Sequence, residues 1–168
     1  KLSFANAIAA LCEHVGANID DVMDGIGQDK RIGNQFLKPG PGWGGSCFPK
    51  DTRALVKIAE SAGYDFELLR GVIDFNEIQF DRIVNKVCKA VGKTLTGTHI
   101  AVLGLTFKAH TNDLRDSPAL RIVEHLKSQG ATINAYDPTV KESLHGINIY
   151  KTATEACKSA DAILIATE

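Results

Sequence analysis

One cysteine, Cys47, lies in a stretch rich in glycine and proline over residues 40–51. Pro49 has the φ angle of a first helical residue, and apolar residues recur with a helical period over residues 51–62, so a helix should begin just after the cysteine. The positive end of that helix dipole, with Lys50 close by, favours a thiolate. The sequence therefore predicts a nucleophile, although a free cysteine is more often a small buried hydrophobe.

The same stretch matches the pattern G-x-G-x-x-G at Gly40, Gly42 and Gly45, which in dinucleotide-binding folds follows a strand. Residues 36–39 contain a proline and no apolar run, so no strand is predicted there and we interpret the match as accidental. Gly44 and Gly45 carry no Cβ and are instead expected to allow a sharp turn and the close approach of a ligand.

Composition narrows the class of protein. The 168 residues have a net charge of -1, and their 19 basic residues are scattered, which argues against a nucleic-acid partner. No apolar run reaches membrane length and no signal peptide is visible, so we expect a cytoplasmic protein without a membrane partner.

Four widely spaced cysteines and five histidines fit neither a disulfide framework nor a metal site. We expect four free thiols and no metal. Cys12, Cys88 and Cys157 fall in apolar helical patterns, so core positions are expected for them.

The positioning elements divide the chain into two parts. Residues 1–95 are predicted to be helical, with helices up to Gly16, over 19–27 after the cap Asn18, over 51–62 and over 66–91. The loop over residues 28–50 is long enough to suggest a function, and the length of the last helix suggests a shared spine or a dimer face.

From residue 96 onward, short apolar strands alternate with helices, as in a βαβ fold. Strands are predicted over 100–103, 132–136, 147–150 and 162–166, and helices over 118–129 and 152–159. The fold class is therefore α/β, with an all-helical domain over 1–95 and a partial Rossmann-like parallel-sheet domain over 96–168.

Nucleotides bind such sheets at the carboxyl ends of the strands, which indicates the loop over residues 104–115 and Asp137. Lys108 and Arg115 in that loop could meet phosphates, although a solvated loop would also explain their charges.

Several separated motifs together resemble the UDP-glucose 6-dehydrogenases of the UDP-glucose/GDP-mannose dehydrogenase family. They are GGSCFPKD at 44–51, DKRIG at 29–33, FLKPG at 36–40, GLTFK at 104–108 and RDSP at 115–118. The resemblance extends over essentially the whole chain. It implies a central helical domain, which carries the cysteine and the dimer contact, and part of a domain that binds the UDP sugar.

The implied activity is the NAD-dependent oxidation of UDP-glucose to UDP-glucuronate in two hydride transfers. By resemblance, Cys47 forms a thiohemiacetal and then a thioester, and Asp51, one helical turn further on, helps to position or activate the hydrolytic water. A first-turn acid that favours the helix dipole is the alternative role for Asp51. A homodimer is also implied.

The resemblance assigns further residues to ligands. Substrate-binding roles are implied for Arg31, Phe36, Leu37, Lys38, Pro39, Gly40, Gly44, Phe107 and Lys108, and NAD-binding roles for Lys50 and Arg115. Arg31 would reach a substrate phosphate bound in the partner subunit; a surface charge beside Asp29 is its alternative role.

The catalytic lysine and asparagine of the family lie upstream of this chain, and Lys1 and Asn6 do not match that motif. The chain, which begins within a helical pattern, is therefore expected to be a fragment and to produce no NADH from UDP-glucose by itself. GDP-mannose or a UDP-N-acetylhexosamine is an alternative substrate. A non-catalytic helical dimerisation module with a nucleotide-binding domain is the alternative outside catalysis.

Overall fold

The computed structural model describes residues 1–92, 94–141 and 144–167. The helices are α1 (Leu2–Val15), α2 (Ile19–Gly27), α3 (Phe48–Ser61), α4 (Glu67–Val91), α5 (Pro118–Ser128) and α6 (Ala153–Cys157). The strands are β1 (His99–Leu103), β2 (Thr132–Tyr136), β3 (Asn148–Ile149) and β4 (Ala162–Ile165). Helices followed by a parallel sheet confirm the predicted α/β class.

Several elements differ in length from their predictions. α3 begins at Phe48, directly after the cysteine as predicted, and so extends three residues before the apolar run that starts at Asp51, because Pro49 is part of its first turn. β3 is shorter than predicted and pairs only with Asn134 and Ala135 of β2. α6 ends at Cys157, since the next residue has an extended backbone.

The N-terminal helices pack around a small core. Ala5 of α1 and Met23 of α2 are buried there together with Leu37 from the long loop. α2 begins as predicted, with the Asn18 side chain accepting a hydrogen bond from the Asp20 N–H at 2.9 Å. The Leu37 side chain therefore anchors the loop to the helices.

α4 connects the helical part with the sheet. Its C-terminal half supplies Phe80, Val84 and Val87 to the main core, which also contains α5 and the strands. Ion pairs join α4 to α5 at the surface, for example Glu77 with Arg121 at 3.0 Å. α4 thus belongs to the packing of both parts, and the domain boundary near residue 95 stays a prediction.

The sheet has the strand order β3-β2-β1-β4, and all its pairings are parallel. The order reverses between β1 and β4, so a crevice is expected at their carboxyl ends, beside Gly104. Within the described residues, no helix is long and apolar enough to cross a membrane.

Asp137, which follows β2, braces the turn after β1. Its carboxylate accepts hydrogen bonds from the N–H groups of Leu105 at 2.8 Å, Thr106 at 3.4 Å and Thr139 at 2.8 Å, and from the Thr139 hydroxyl at 2.8 Å. Burial alone would raise the pKa of Asp137, but these hydrogen bonds lower it below its usual value. Asp137 is only 5% exposed, so its carboxylate stabilises the turn and does not face a nucleotide.

We expect Asp137→Asn to lower the free energy of unfolding by about 1 to 3 kcal/mol at neutral pH, because the new amide places an N–H against backbone donors. The folded-state pKa of Asp137 is depressed, so its contribution is complete above the usual value of 3.8 and is lost as the pH falls through the folded pKa. Urea unfolding should therefore show a gap in the free energy of unfolding between wild type and variant, and this gap should become smaller in acid. A gap that is independent of pH would contradict this account.

Candidate active site

Cys47 is the N-cap residue of α3, directly before the first helical turn. Its carbonyl accepts the Asp51 N–H at 2.9 Å, and the thiol is exposed. The Sγ atom lies 3.7 Å from the Ser46 hydroxyl. The predicted placement of the thiol at a helix N-terminus is therefore present, and α3 begins directly after the cysteine, as the sequence predicts.

Gly44 and Gly45 meet the sheet part of the chain. A Cβ on Gly44 would stand 1.9 Å from the Asp116 carbonyl oxygen, and one on Gly45 would stand 2.8 Å from the Phe107 ring. Gly45 also has a φ of 85°, which favours glycine. These glycines therefore make room for the loop after β1, while the expectation that they also allow the close approach of a ligand stays a prediction.

A cleft of about 390 Å³ opens beside this contact. Its lining includes five of the predicted site residues, namely Phe36, Gly44, Cys47, Phe107 and Lys108. The Lys108 ammonium lies 5.4 Å from the centre of the Phe107 ring. A second cavity of about 360 Å³ is also lined by Phe36 and Trp43, together with Phe48 and the start of α1. The thiol thus faces a largely aromatic cleft with a cation at its edge.

Phe36 has a left-handed backbone with a φ of 63°, and its side chain is 62% exposed. A bulky residue in this region carries strain, and such strain tends to gather at functional sites. Because the strained residue lines the cleft, the geometry supports the binding role predicted for Phe36.

The two cations predicted to bind the cofactor are each paired with a carboxylate. Lys50 binds the Asp51 carboxylate at 2.7 Å, and Arg115 binds Asp113 through two hydrogen bonds of 2.9 and 2.8 Å. The pKa of Lys50 is raised mainly by that hydrogen bond, and the pKa of Arg115 mainly by Asp113. In both cases a smaller coulombic interaction with Cys47 also raises the pKa.

Other predicted residues lie outside the cleft lining. Leu37 is buried in the helical core, whereas Lys38 is exposed and Pro39 is half-buried. Gly40 donates its N–H to Asn6 and offers its carbonyl to Gln79, so both its backbone groups are engaged.

Arg31 also stands apart from the cleft lining. Its guanidinium is 89% exposed and forms a bidentate pair with Asp29, which raises the pKa of Arg31 and lowers that of Asp29. The pair fits the alternative of a surface charge, while the role at a partner's substrate stays a prediction.

Sequence reasoning missed the polar residues that hold the cysteine loop. They are Ser3 and Asn6 of α1, Trp43 in the loop, and Asn76 and Gln79 of α4. A signal existed, because Asn76 and Gln79 share the helical face of Phe80 and Ile83, where apolar residues would be expected.

Of the four free cysteines, Cys47 is exposed, Cys12 is buried, and Cys88 and Cys157 are partly buried. Of the three cysteines predicted to lie in the core, Cys12 is buried, whereas Cys88 and Cys157 are buried only in part. Because access limits the attack of a thiol on a reagent, we expect iodoacetamide to modify Cys47 before the other three. Peptide mass spectrometry after short exposures measures the four rates, and equally fast labelling of Cys88 or Cys157 would contradict the prediction.

Comparisons with known proteins cover both parts of the chain. The model of the central domain of the UDP-glucose/GDP-mannose dehydrogenase family matches residues 1–78. The model of the UDP binding domain of the same family matches residues 101–168. UDP-glucose 6-dehydrogenase YwqF of Bacillus subtilis is 48% identical over 173 residues, and a UDP-glucose 6-dehydrogenase of Rhizobium meliloti is 46% identical over 172 residues. Both alignments include 100% of the chain, which spans 39% of each relative.

Solved structures give the same picture. A UDP-glucose dehydrogenase from Pyrobaculum islandicum aligns with a TM-score of 0.94 and 32% identity over 99% of this chain and 39% of its own. The GDP-mannose dehydrogenase of Pseudomonas aeruginosa aligns with a TM-score of 0.72 and 27% identity, over 99% of this chain and 41% of its own.

Proposed function

Because the chain belongs to the UDP-glucose/GDP-mannose dehydrogenase family, we propose that it forms the thiol-bearing part of an NAD-dependent UDP-glucose 6-dehydrogenase. The observation that carries this proposal is the exposed Cys47 at the start of α3, in a cleft between the helical part and the loop after β1. The relatives that share this segment are named UDP-glucose 6-dehydrogenases.

In this proposal the Cys47 thiolate adds to the C6 aldehyde formed by the first oxidation, and the new S–C bond gives a thiohemiacetal. Loss of a hydride from that carbon, with its hydroxyl proton, leaves a thioester on Cys47. Water then attacks the thioester carbon, the S–C bond breaks, and the acid leaves while the thiolate is regenerated. Covalent capture divides a difficult oxidation into accessible steps.

The bound cofactor would supply the hydride acceptor, and dehydrogenases of this family use a nicotinamide cofactor. Lys50 and Arg115 fit the anionic pyrophosphate of NAD, because their charged side chains are largely exposed. Each would exchange part of its bond to Asp51 or Asp113 for a phosphate oxygen.

The substrate would use the cleft. Phe36 and Phe107 offer aromatic faces, Lys108 offers a cation, and Gly44 keeps the floor free of a side chain. Asp51, once Lys50 turns to another anion, is free to orient the hydrolytic water. Arg31 would serve a substrate bound in the partner subunit of a homodimer.

UDP-glucose is favoured over GDP-mannose and over UDP-N-acetylhexosamines. Eight relatives at 42% to 48% identity are named UDP-glucose 6-dehydrogenases. The solved GDP-mannose enzyme has 27% identity, whereas a UDP-D-ManNAc enzyme from Pyrococcus horikoshii has 31%. We also propose the cytoplasm as the compartment, consistent with four free cysteines.

A chimaera tests this proposal. This chain would replace the matching 173-residue segment of Bacillus subtilis YwqF, and NADH formation would be followed with each nucleotide sugar. We expect two NADH per UDP-glucose and a kcat/KM for UDP-glucose above that for GDP-mannose or UDP-N-acetylglucosamine. An inactive, folded chimaera would favour the non-catalytic module, and a preference for another sugar would overturn the substrate.

A further inference from the structure

Three buried carboxamide side chains form hydrogen bonds with the backbone of the loop that leads to Cys47. Asn6 accepts the Gly40 N–H at 2.8 Å, and Gln79 donates to the Gly40 carbonyl at 2.8 Å. Asn76 accepts the Trp43 N–H at 2.9 Å and donates to the Trp43 carbonyl at 3.0 Å. We call Asn6, Asn76 and Gln79 the carboxamide clamp.

The clamp satisfies both backbone polar groups at the two ends of the segment over residues 40–43. A carboxamide suits this task, because it carries a donor and an acceptor side by side, as a peptide group does. The three clamp residues are at most 5% exposed, so a lost partner would leave a buried polar group unsatisfied. Their hydrogen bonds therefore hold the loop backbone against two different helices, α1 and α4.

The clamp itself is oriented by further contacts. Arg82 donates to the Gln79 side-chain oxygen at 3.0 Å and to Glu13 of α1 at 3.0 Å. The Gln79 carboxamide is therefore held with its nitrogen toward Gly40. Gly42, between the clamped residues, lies so close to α4 that a Cβ would stand 2.7 Å from the Phe80 ring.

The clamp reaches Cys47 through Trp43. The Trp43 indole N–H donates to the Ser3 hydroxyl at 2.8 Å, and its ring meets Phe48 edge to face with 6.4 Å between centroids. Phe48 is the residue directly after Cys47. Within the described residues, the Cys47 side chain itself has one contact in hydrogen-bond range, with the Ser46 hydroxyl. The loop backbone thus determines where the sulfur stands.

We propose that Asn6, Asn76 and Gln79 are positioning residues for the Cys47 thiol. The proposal rests on the proposed function for its kinetic consequence, but the placement of Cys47 can be tested separately. A displacement of about 1 Å from the reacting carbon can lower a rate by about 100-fold, so a weakened clamp should lower kcat. Because the clamped loop also lines the cleft proposed for UDP-glucose, binding of that substrate should weaken as well, whereas binding of NAD should change little.

The first experiment uses amide resonances of the full chain in two nearly isosteric variants. Asn76→Asp replaces the donor to the Trp43 carbonyl with a carboxylate oxygen, and Gln79→Glu does the same toward Gly40. We expect the amide resonances of Cys47 and Phe48 to shift in both variants, along with those of the clamped residues. Gln79→Glu keeps the test available if Asn76→Asp fails to fold.

Lowering the pH should reverse the effect of Asn76→Asp on the amide resonances. Protonation of the carboxyl in the Asn76→Asp variant restores a donor to the Trp43 carbonyl, so the Cys47 and Phe48 resonances should return toward the wild-type positions measured at the same pH. Asn148→Asp is the matched control, because Asn148 donates to Asn134 in the sheet at 3.0 Å, away from the loop. Its resonance shifts should stay near β2 and β3.

The second experiment measures kinetics in the chimaera. Asn76→Asp should lower kcat by about 10- to 100-fold and also raise the KM for UDP-glucose, because the clamped loop lines the substrate cleft, while the KM for NAD changes by less than about 3-fold; Asn148→Asp should change none of the three. If the Cys47 and Phe48 resonances keep their wild-type positions in both clamp variants, or kcat is unchanged, the proposal is overturned. If the unsubstituted chimaera is inactive while these resonances shift, the positioning stands and the proposed reaction fails.

Discussion

We expect Cys47→Ser to lower kcat of the chimaera for UDP-glucose by on the order of 10³-fold or more. A hydroxyl is far less acidic than a thiol, so at neutral pH the variant has almost no anionic nucleophile to add to the aldehyde. Because Cys47 is exposed, serine fits without a clash and no buried contact is lost, so the variant should fold like the wild type. NADH formation at saturating substrate measures the effect.

Cys157→Ser is the matched control, because Cys157 is a free cysteine at the end of α6 and does not line the cleft. It should keep kcat within about 2-fold, since substitutions away from functional contacts usually change little. Complete turnover by Cys47→Ser would remove the covalent mechanism, whereas an equal loss in both variants would indicate a general effect of losing a thiol.

Local signals predicted most of the fold. The cap at Asn18, the proline at the start of α3 and the apolar runs of β1 and β2 each act within a few residues, and the structure has an element at each. The apolar period of α3 begins only at Asp51, so the signal for a helix start directly after Cys47 is Pro49 and not the period.

The candidate site was predictable only as far as its chemistry is local. Cys47 and its helix N-terminus could be inferred from neighbouring residues. The clamp joins residues 33 to 39 positions apart, and no periodicity shows which backbone group a buried Asn76 or Gln79 will meet. For the same reason the sequence indicates a need for glycine at Gly44 without showing that Asp116 is what approaches it.

Because of these long-range contacts, the whole site depends on the packing between the helical part and the sheet part of the chain. α4 carries the clamp at Asn76 and Gln79 and, one turn further on, supplies Phe80 and Val84 to the core of the sheet. The loop after β1, braced by Asp137, brings Phe107 against Gly45. A change that separates the parts should therefore disturb the thiol even when it touches neither Cys47 nor a ligand.

Gly44→Ala should separate the two parts, and we expect it to lower the free energy of unfolding by about 2 to 4 kcal/mol. The new Cβ would stand 1.9 Å from the Asp116 carbonyl oxygen and 2.8 Å from Pro118 Cδ. Backbone and a proline ring cannot rotate away as a flexible side chain would, so the loop and the start of α5 must move apart. Urea unfolding followed by circular dichroism measures the cost.

Gly71→Ala adds the same methyl group as Gly44→Ala, but it should change the free energy of unfolding in the opposite direction. Gly71 lies inside α4, and a Cβ there would meet nothing within 4 Å, so alanine should raise the free energy of unfolding by roughly 0.5 to 1 kcal/mol through its better helix propensity. The single tryptophan, Trp43, reports on the loop by fluorescence, which should change in folded Gly44→Ala and stay at the wild-type value in Gly71→Ala. Equal unfolding midpoints for Gly44→Ala and wild type would show that the contact with Asp116 does not hold the two parts together.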